Sequence, residues 1–234
     1  MKKIIVALSA FALPGFIIAQ NNVGISNDLK TVAQHNLDVN SSAISTFSSG
    51  NVKGTQYLFD DWTPGSVTDE TNNTFSDNYS FNFDKINHDV YARDNIQKIS
   101  VVLDKTKVKR FKIGQLNFVN AELIDQKGKN LFYQVLVEEP SKISLYKLTK
   151  TRFQRANPND MSNVKSGNFS SEFIDDVTYY VMQGKELTRV NLTGNSIHKA
   201  LKSQSDKLNK YEDQNSTKEI DEDFLVGLIK YLNS

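Results

Sequence analysis

The sequence predicts a mainly β protein of the α+β class. Residues 56–191 read as an antiparallel β meander, sandwich or partly closed barrel, and residues 195–234 as a C-terminal pair of amphipathic helices. Three observations predict this. Between Gln56 and Asn191 apolar residues recur at every second position, the period at which strand side chains alternate between faces. Short stretches of turn residues separate these runs, as in hairpin-connected strands. After Gly194 the apolar spacing changes to that of a helix face.

Taken in order, the chain opens with Lys2 and Lys3, then an apolar stretch from Ile4 to Ala19, then the polar run Gln20-Asn21-Asn22. A basic start, a short apolar region and a small residue before a polar switch predict a secretory signal peptide over 1–19, cleaved between Ala19 and Gln20. The apolar stretch falls short of the roughly 20 residues that span a bilayer. No later segment is apolar enough to do so, so the mature chain is expected to have no transmembrane segment. Residues 20–55 read as a polar leader. Within it, Leu29, Val32, Ala33 and Leu37 have helical spacing across Asp28 to Asp38, with Ser26 or Asn27 as cap. Val39 to Lys53 reads as a tether rich in Ser, Asn and Thr.

About eight to ten strands follow. Tyr79, Phe81 and Phe83 alternate with Ser80, Asn82 and Asp84, and Phe111 and Ile113 with Arg110 and Lys112. Leu131, Tyr133, Val135 and Val137 are expected on one strand face, while Tyr179 and Tyr180 place one ring on each side of another. Turns are expected at Gln126 to Lys129, Glu139-Pro140-Ser141 and Gln183-Gly184, and a longer loop over Ala156 to Ser170. Beyond Gly194, Ile197, Ala200, Leu201, Leu208 and Tyr211 form one helical face with Ser196 as cap. Ser216 and Glu219 have capping-box spacing before Ile220, Phe224, Leu225, Leu228, Ile229 and Leu232.

Composition excludes several functions. With 28 Lys+Arg against 27 Asp+Glu the net charge is +1, and removing Lys2 and Lys3 with the signal peptide leaves 26 positive against 27 negative. A dedicated nucleic-acid binder carries a basic excess, so no nucleic-acid partner is expected. The absence of Cys excludes disulfides, thiolate metal sites and Cys nucleophiles. An exported chain without covalent staples points to a bacterial envelope.

Several segments occur together in a recognisable order. They are Gly54-Thr55-Gln56-Tyr57-Leu58-Phe59-Asp60-Asp61-Trp62, Phe83-Asp84 with Asp89-Val90-Tyr91, Leu131-Phe132-Tyr133-Gln134-Val135-Leu136, Tyr179-Tyr180 and the closing helices. In this order they resemble an uncharacterised family of exported β-rich proteins from Bacteroidota, of flavobacterial type. The resemblance spans roughly residues 50–234 and rests on hydrophobic pattern. It implies a compartment and a build, and no chemistry.

Candidate sites are few. His35, His88 and His198 lie at no zinc-ligand spacing. His88 with Asp84 and Asp89 is the one compact set of ligands, but Lys85-Ile86-Asn87 reads as a turn, so solvated groups at a hairpin tip are expected instead. Asp60-Asp61 and Asp175-Asp176 are adjacent and point to opposite faces, unlike the facing carboxyls of glycoside hydrolysis, and read as solvated strand ends. Asp221, Glu222 and Asp223 lack the Gly and distal Glu of a calcium loop, and suit the first turn of a helix. No G-x-S-x-G elbow is present, and no cofactor is expected. Lys105, Lys107 and Lys109 alternate, so a strand there would form a row of ammonium groups. Such a row is either a surface for an anionic partner or the guard of an edge strand. Trp62 with Tyr57 and Phe59 is either an aromatic platform or a core or rim feature.

The reading that follows is an exported, non-catalytic envelope protein with a structural or binding role. Its partner would be an envelope protein or a glycan, in the periplasm, at the outer-membrane periphery or outside the cell. Two alternatives stand beside it: a carrier with an apolar cavity inside a β-barrel, and an enzyme whose site is assembled from distant strands.

Overall fold

The computed structural model describes residues 32–36, 52–125, 129–156 and 170–234. The expected signal peptide with its Ala19–Gln20 junction, the turn residues 126–128 and most of the expected loop, residues 157–169, lie outside them. The strands are β1 (Ala33–Asn36), β2 (Val52–Lys53), β3 (Thr63–Asp69), β4 (Thr74–Phe75), β5 (Tyr79–Asp84) and β6 (Asp89–Asp94). There follow β7 (Ser100–Leu103), β8 (Val108–Ile113), β9 (Leu116–Asn120) and β10 (Phe132–Val137). The last three are β11 (Ile143–Gln154), β12 (Ser171–Gln183) and β13 (Glu186–Val190). Three helices close the chain: α1 (Gly194–Ala200), α2 (Ser205–Gln214) and α3 (Glu222–Asn233). The fold is mainly β, as the period-two pattern predicts.

All strands belong to one sheet in the order β1-β7-β6-β5-β3-β8-β9-β10-β11-β12-β13, with β4 beside β3 and β2 beside β12. Pairing is antiparallel except for the short parallel pair of β2 with β12. Among the described residues β1 and β13 end this order without pairing each other, so the sheet is open and the barrel alternative is not realised.

β3 is the corner. Its first residues pair with β5, Thr63 opposite Phe81 and Pro64 opposite Ser80. From Gly65 onward it pairs with β8. The sheet folds over at that point, and its two limbs enclose Phe81, Phe83, Phe111, Phe118 and Phe132. Phe111 and Phe118 stack at 4.6 Å, and Phe132 meets Phe111 edge-on at 5.1 Å. A Cβ on Gly65 would stand 2.1 Å from the Lys112 carbonyl oxygen. We therefore expect Gly65→Ala to cost about 1–3 kcal/mol of stability, read as a lower urea midpoint, because backbone must move to admit one methyl.

The second core lies where α1, α2 and α3 cover one face of β10–β13. Leu145, Tyr179, Val181, Leu208, Phe224, Leu225 and Leu228 meet there. Tyr180 points to the other face, as the alternation requires, and packs against Tyr133.

Several local expectations are corrected. The stretch 33–36, expected as part of a helix, is the strand β1 paired with β7, and Val32 is buried in the folded-over core. Four apolar residues cannot hold so short a helix alone, whereas a sheet edge supplies both hydrogen bonds and burial. Val137 does not share a face with Tyr133. A register shift between Val135 and Val137 returns Val137 to the helix side. The first helical face is broken: α1 ends at Ala200, a 3-10 turn spans Lys202–Gln204, and α2 begins at Ser205. No apolar residue lies between Leu201 and Leu208, so nothing holds that stretch in one continuous helix against the sheet. Ser196 caps nothing and instead accepts from the Asn191 N–H (2.9 Å). Asp221, not Ser216, caps α3, accepting from the Phe224 N–H at 2.8 Å. An aspartate immediately before the helix is as good a cap as serine, and closer.

Candidate functional site

The densest polar assembly is the tip of the β5–β6 hairpin. Asp84 is the last residue of β5, and its carboxylate accepts from the Ile86 N–H (2.8 Å), the Asn87 N–H (3.2 Å) and Asn87 Nδ2 (2.9 Å). The turn closes through His88, which adopts a positive φ of 56°. Far from being solvated, as expected for a hairpin tip, Asp84 and His88 are fully buried. Burial first, and then the Asp84 carboxylate, hold the neighbouring Tyr91 phenol well above its usual pKa.

The tip is buried because it continues the sheet. β10 pairs with β11 only from Lys147 back to Leu145. Beyond Lys147 the hairpin tip takes the edge of β11: the Thr151 N–H donates to the Lys85 carbonyl (3.2 Å). The Phe132 N–H, at the start of β10, donates to His88 Nδ1 (3.3 Å). Lys85 Nζ reaches Asp175 on β12 at 2.8 Å, and Thr151 Oγ1 donates to the same carboxylate. The hairpin tip thus joins three strands distant from it in sequence, β10 through His88 and β11 and β12 through Lys85. His88 Nε2 is buried without a hydrogen-bond partner, and the ring stands edge-on to Phe83 at 5.4 Å.

The lysine row is not formed. Asp104 accepts from the Thr106 N–H (3.0 Å) and hydroxyl (2.7 Å), closing a turn that contains Lys105 and Lys107. Lys109 sits at a bulge of β8, where Thr68 pairs with Arg110 and Asp69 with Val108. Lys105 Nζ pairs with Asp89 (3.0 Å) and donates to the Asn87 carbonyl (2.6 Å), while Lys109 Nζ donates to Asn72 Oδ1 (2.9 Å). Local turn chemistry overrides the alternation on which the row depended.

Other candidates also serve the frame. Asp175 and Asp176 lie inside β12 rather than at a strand end, and Asp176 pairs with Arg152 at 3.4 Å. Asp60 and Asp61 are exposed, with Asp61 accepting from the Trp62 N–H. Glu222, which the sequence placed only in a first helical turn, accepts from the Tyr179 hydroxyl (2.8 Å) and pairs with Lys147 (2.8 Å). It ties α3 to two strands. His198 bonds Glu212 at 2.9 Å, joining α1 to α2. Tyr57, Phe59 and Trp62 do not make one platform. Tyr57 packs with Tyr91 and Trp62, the Arg93 guanidinium lying over the Trp62 ring, while Phe59 packs against the folded-over core. Among the described residues no three His, Asp or Glu side chains gather where they could hold a metal ion.

Comparisons with family models, curated proteins and solved structures give no match for this chain. Chemistry must therefore be read from the surface itself. On the sheet face turned away from the helices Tyr133, Tyr146 and Leu148 are buried in a small cluster of their own, ringed by half-buried Tyr180, Met182, Leu187, Val135 and Ile124. Tyr180 stands 5.3 Å and Tyr146 6.1 Å from the Tyr133 ring. At its border lies a cleft of about 140 Å³ formed by Arg110, Glu138, Tyr146 and Met182, in which the Arg110 guanidinium grips the Glu138 carboxylate through two hydrogen bonds. A second, more polar groove of about 450 Å³ runs beside the end of α3. There Lys142 donates to the Asn233 carbonyl, and the Asn233 amide clamps the Ile143 backbone at 2.8 and 3.0 Å. The Lys142 contact satisfies a helix-terminal carbonyl.

Proposed function

We propose that this protein is an exported, non-catalytic component of a bacterial envelope, with a structural or binding role carried by the sheet face opposite the helices. The observation behind this reading is the division of labour among side chains. The groups with chemical reach, such as Asp84, His88, Lys85, Asp175 and Glu222, hold turns, strands and helices together. The space between the two limbs of the sheet is filled by phenylalanine rings. What remains for a partner is the half-buried rim of the face opposite the helices, Tyr180, Met182 and Leu187, where the Tyr180 ring offers apolar area and a hydroxyl at low entropic cost. No helix among the described residues is long and apolar enough to cross a membrane. Export is supported by the basic and apolar start of the chain and by its resemblance to the exported family described above.

The test is cross-linking in intact cells followed by fractionation. We expect the protein in the envelope or medium, beginning at Gln20, and joined to a partner. Replacing Tyr180 and Leu187 together by serine should abolish the cross-link while leaving the circular dichroism unchanged. A product that still begins at Met1, a cross-link that survives the double substitution, or turnover lost on changing one polar residue would each overturn the reading.

A further inference from the structure

The β5–β6 hairpin tip is held to the rest of the molecule by polar contacts, and His88 makes the buried one that can change its hydrogen-bonding character. We propose that His88 is an acid-sensitive latch: neutral, it docks the hairpin tip against the start of β10 and the edge of β11, and protonated, it releases the tip. The geometry carries this. His88 Nδ1 accepts from the Phe132 N–H, so the neutral ring holds its proton on Nε2. A second proton would turn Nδ1 into a donor facing a donor. The imidazolium would then have two N–H groups, neither in hydrogen-bond geometry with an acceptor, inside a buried site.

The charged groups around the ring offer no compensation. Lys105, from the turn between β7 and β8, and Lys150, from β11, both disfavour a further positive charge. β10 presents the Phe132 amide, and β5 the Phe83 ring. The hairpin's own carboxylates are engaged, Asp84 by the turn amides and Asp89 by Lys105. Lys85 is engaged by Asp175. Burial, then Lys150 and Lys105, push the His88 pKa down to about 4. The Thr149 backbone pulls toward the charged form, without reaching hydrogen-bond geometry with Nε2. A released histidine titrates near 6.5. The docked tip therefore binds fewer protons than the released one between these values. Docking is fully favoured above about pH 6.5 and loses its advantage as pH falls toward about 4.

Hydrogen exchange on the full mature chain tests this. After correction for intrinsic rates, protection of the Phe132 and Thr151 amides should fall by up to about tenfold per pH unit below pH 6.5. Protection of Val181, in the helix-covered part of the sheet, should hold. His88→Asn keeps a side-chain acceptor and tolerates positive φ, and should remove the pH dependence. Parallel loss in wild type and variant, or loss spread evenly over the chain, would overturn the latch. An NMR titration of the wild-type ring gives a reading that needs no variant. A His88 pKa at or above 6.5 with the tip still protected would also overturn it.

Discussion

Replacing Phe224 by alanine should lower the stability of the whole protein by about 3–5 kcal/mol, the range for removing a buried phenylalanine. Phe224 sits in the first turn of α3, is nearly fully buried, and meets Tyr211 of α2 edge-on at 5.3 Å. It shares its cluster with Leu225, Leu228 and Ile229 on the same helix and with Leu145, Tyr179 and Val181 on the sheet. A helix of this length is marginal by itself, so its order depends on this contact. The loss would be a large fraction of the roughly 5–15 kcal/mol by which domains are stable. Urea unfolding followed by circular dichroism measures it, with exposed Lys210→Ala on α2 as a control expected within about 0.5 kcal/mol. An unchanged midpoint for Phe224→Ala would mean that α3 does not depend on that packing.

Asn82→Ala should be nearly as damaging, at about 3 kcal/mol, for a different reason. Asn82 lies in the middle of β5 with no exposed surface. Its Oδ1 accepts from the Phe59 N–H (3.2 Å) and the Phe83 N–H (2.8 Å), and its Nδ2 donates to the Phe59 carbonyl (2.8 Å). One amide thereby clips the chain around Phe59 across the outer face of β5, and the Leu58 N–H bond to the Phe83 carbonyl reinforces it. Truncation leaves polar backbone groups without partners in a site closed to water, which costs more than the bonds themselves contribute. Asn82→Asp separates shape from chemistry. It keeps the acceptor but loses the donor and buries a charge, so it should also fold less stably at neutral pH. A variant as stable as wild type by urea titration would show that the strap is held elsewhere.

The strap covers the polar side of β5 as well. Tyr79, Phe81 and Phe83 belong to the core as their alternation predicts, yet Ser80, Asn82 and Asp84 are buried as well. Nothing in a period of two announces a second layer on the polar side. One signal for the aspartates at the strand ends was present. Asp69, Asp84, Asp94 and Asp104 each end or follow a strand, and each accepts from the N–H two residues on, at Thr71, Ile86, Ile96 and Thr106. An aspartate closing an apolar run before such a turn marks this cap. It would have placed Lys105 in a turn, where a strand had been expected. His88 left no comparable trace, because its hydrogen-bond partner Phe132 comes from elsewhere in the chain.

Sequence alone determined what depends on near neighbours. Phe111 and Ile113 face inward with Arg110 and Lys112 outward, Gly184 turns the β12–β13 hairpin with a φ of 61°, and Phe224, Leu225 and Leu228 line one face of α3. Each follows from a repeat of two or 3.6 residues, or from the backbone freedom of one residue type. Tertiary structure alone decided that residues 33–36 join an edge as a strand, that β3 changes partners at Gly65, and that a hairpin tip fills the edge of β11. These outcomes rest on pairing and burial between segments far apart in sequence. Local preferences there amount to a few tenths of a kcal/mol per residue, and one well-buried side chain or satisfied edge outweighs them.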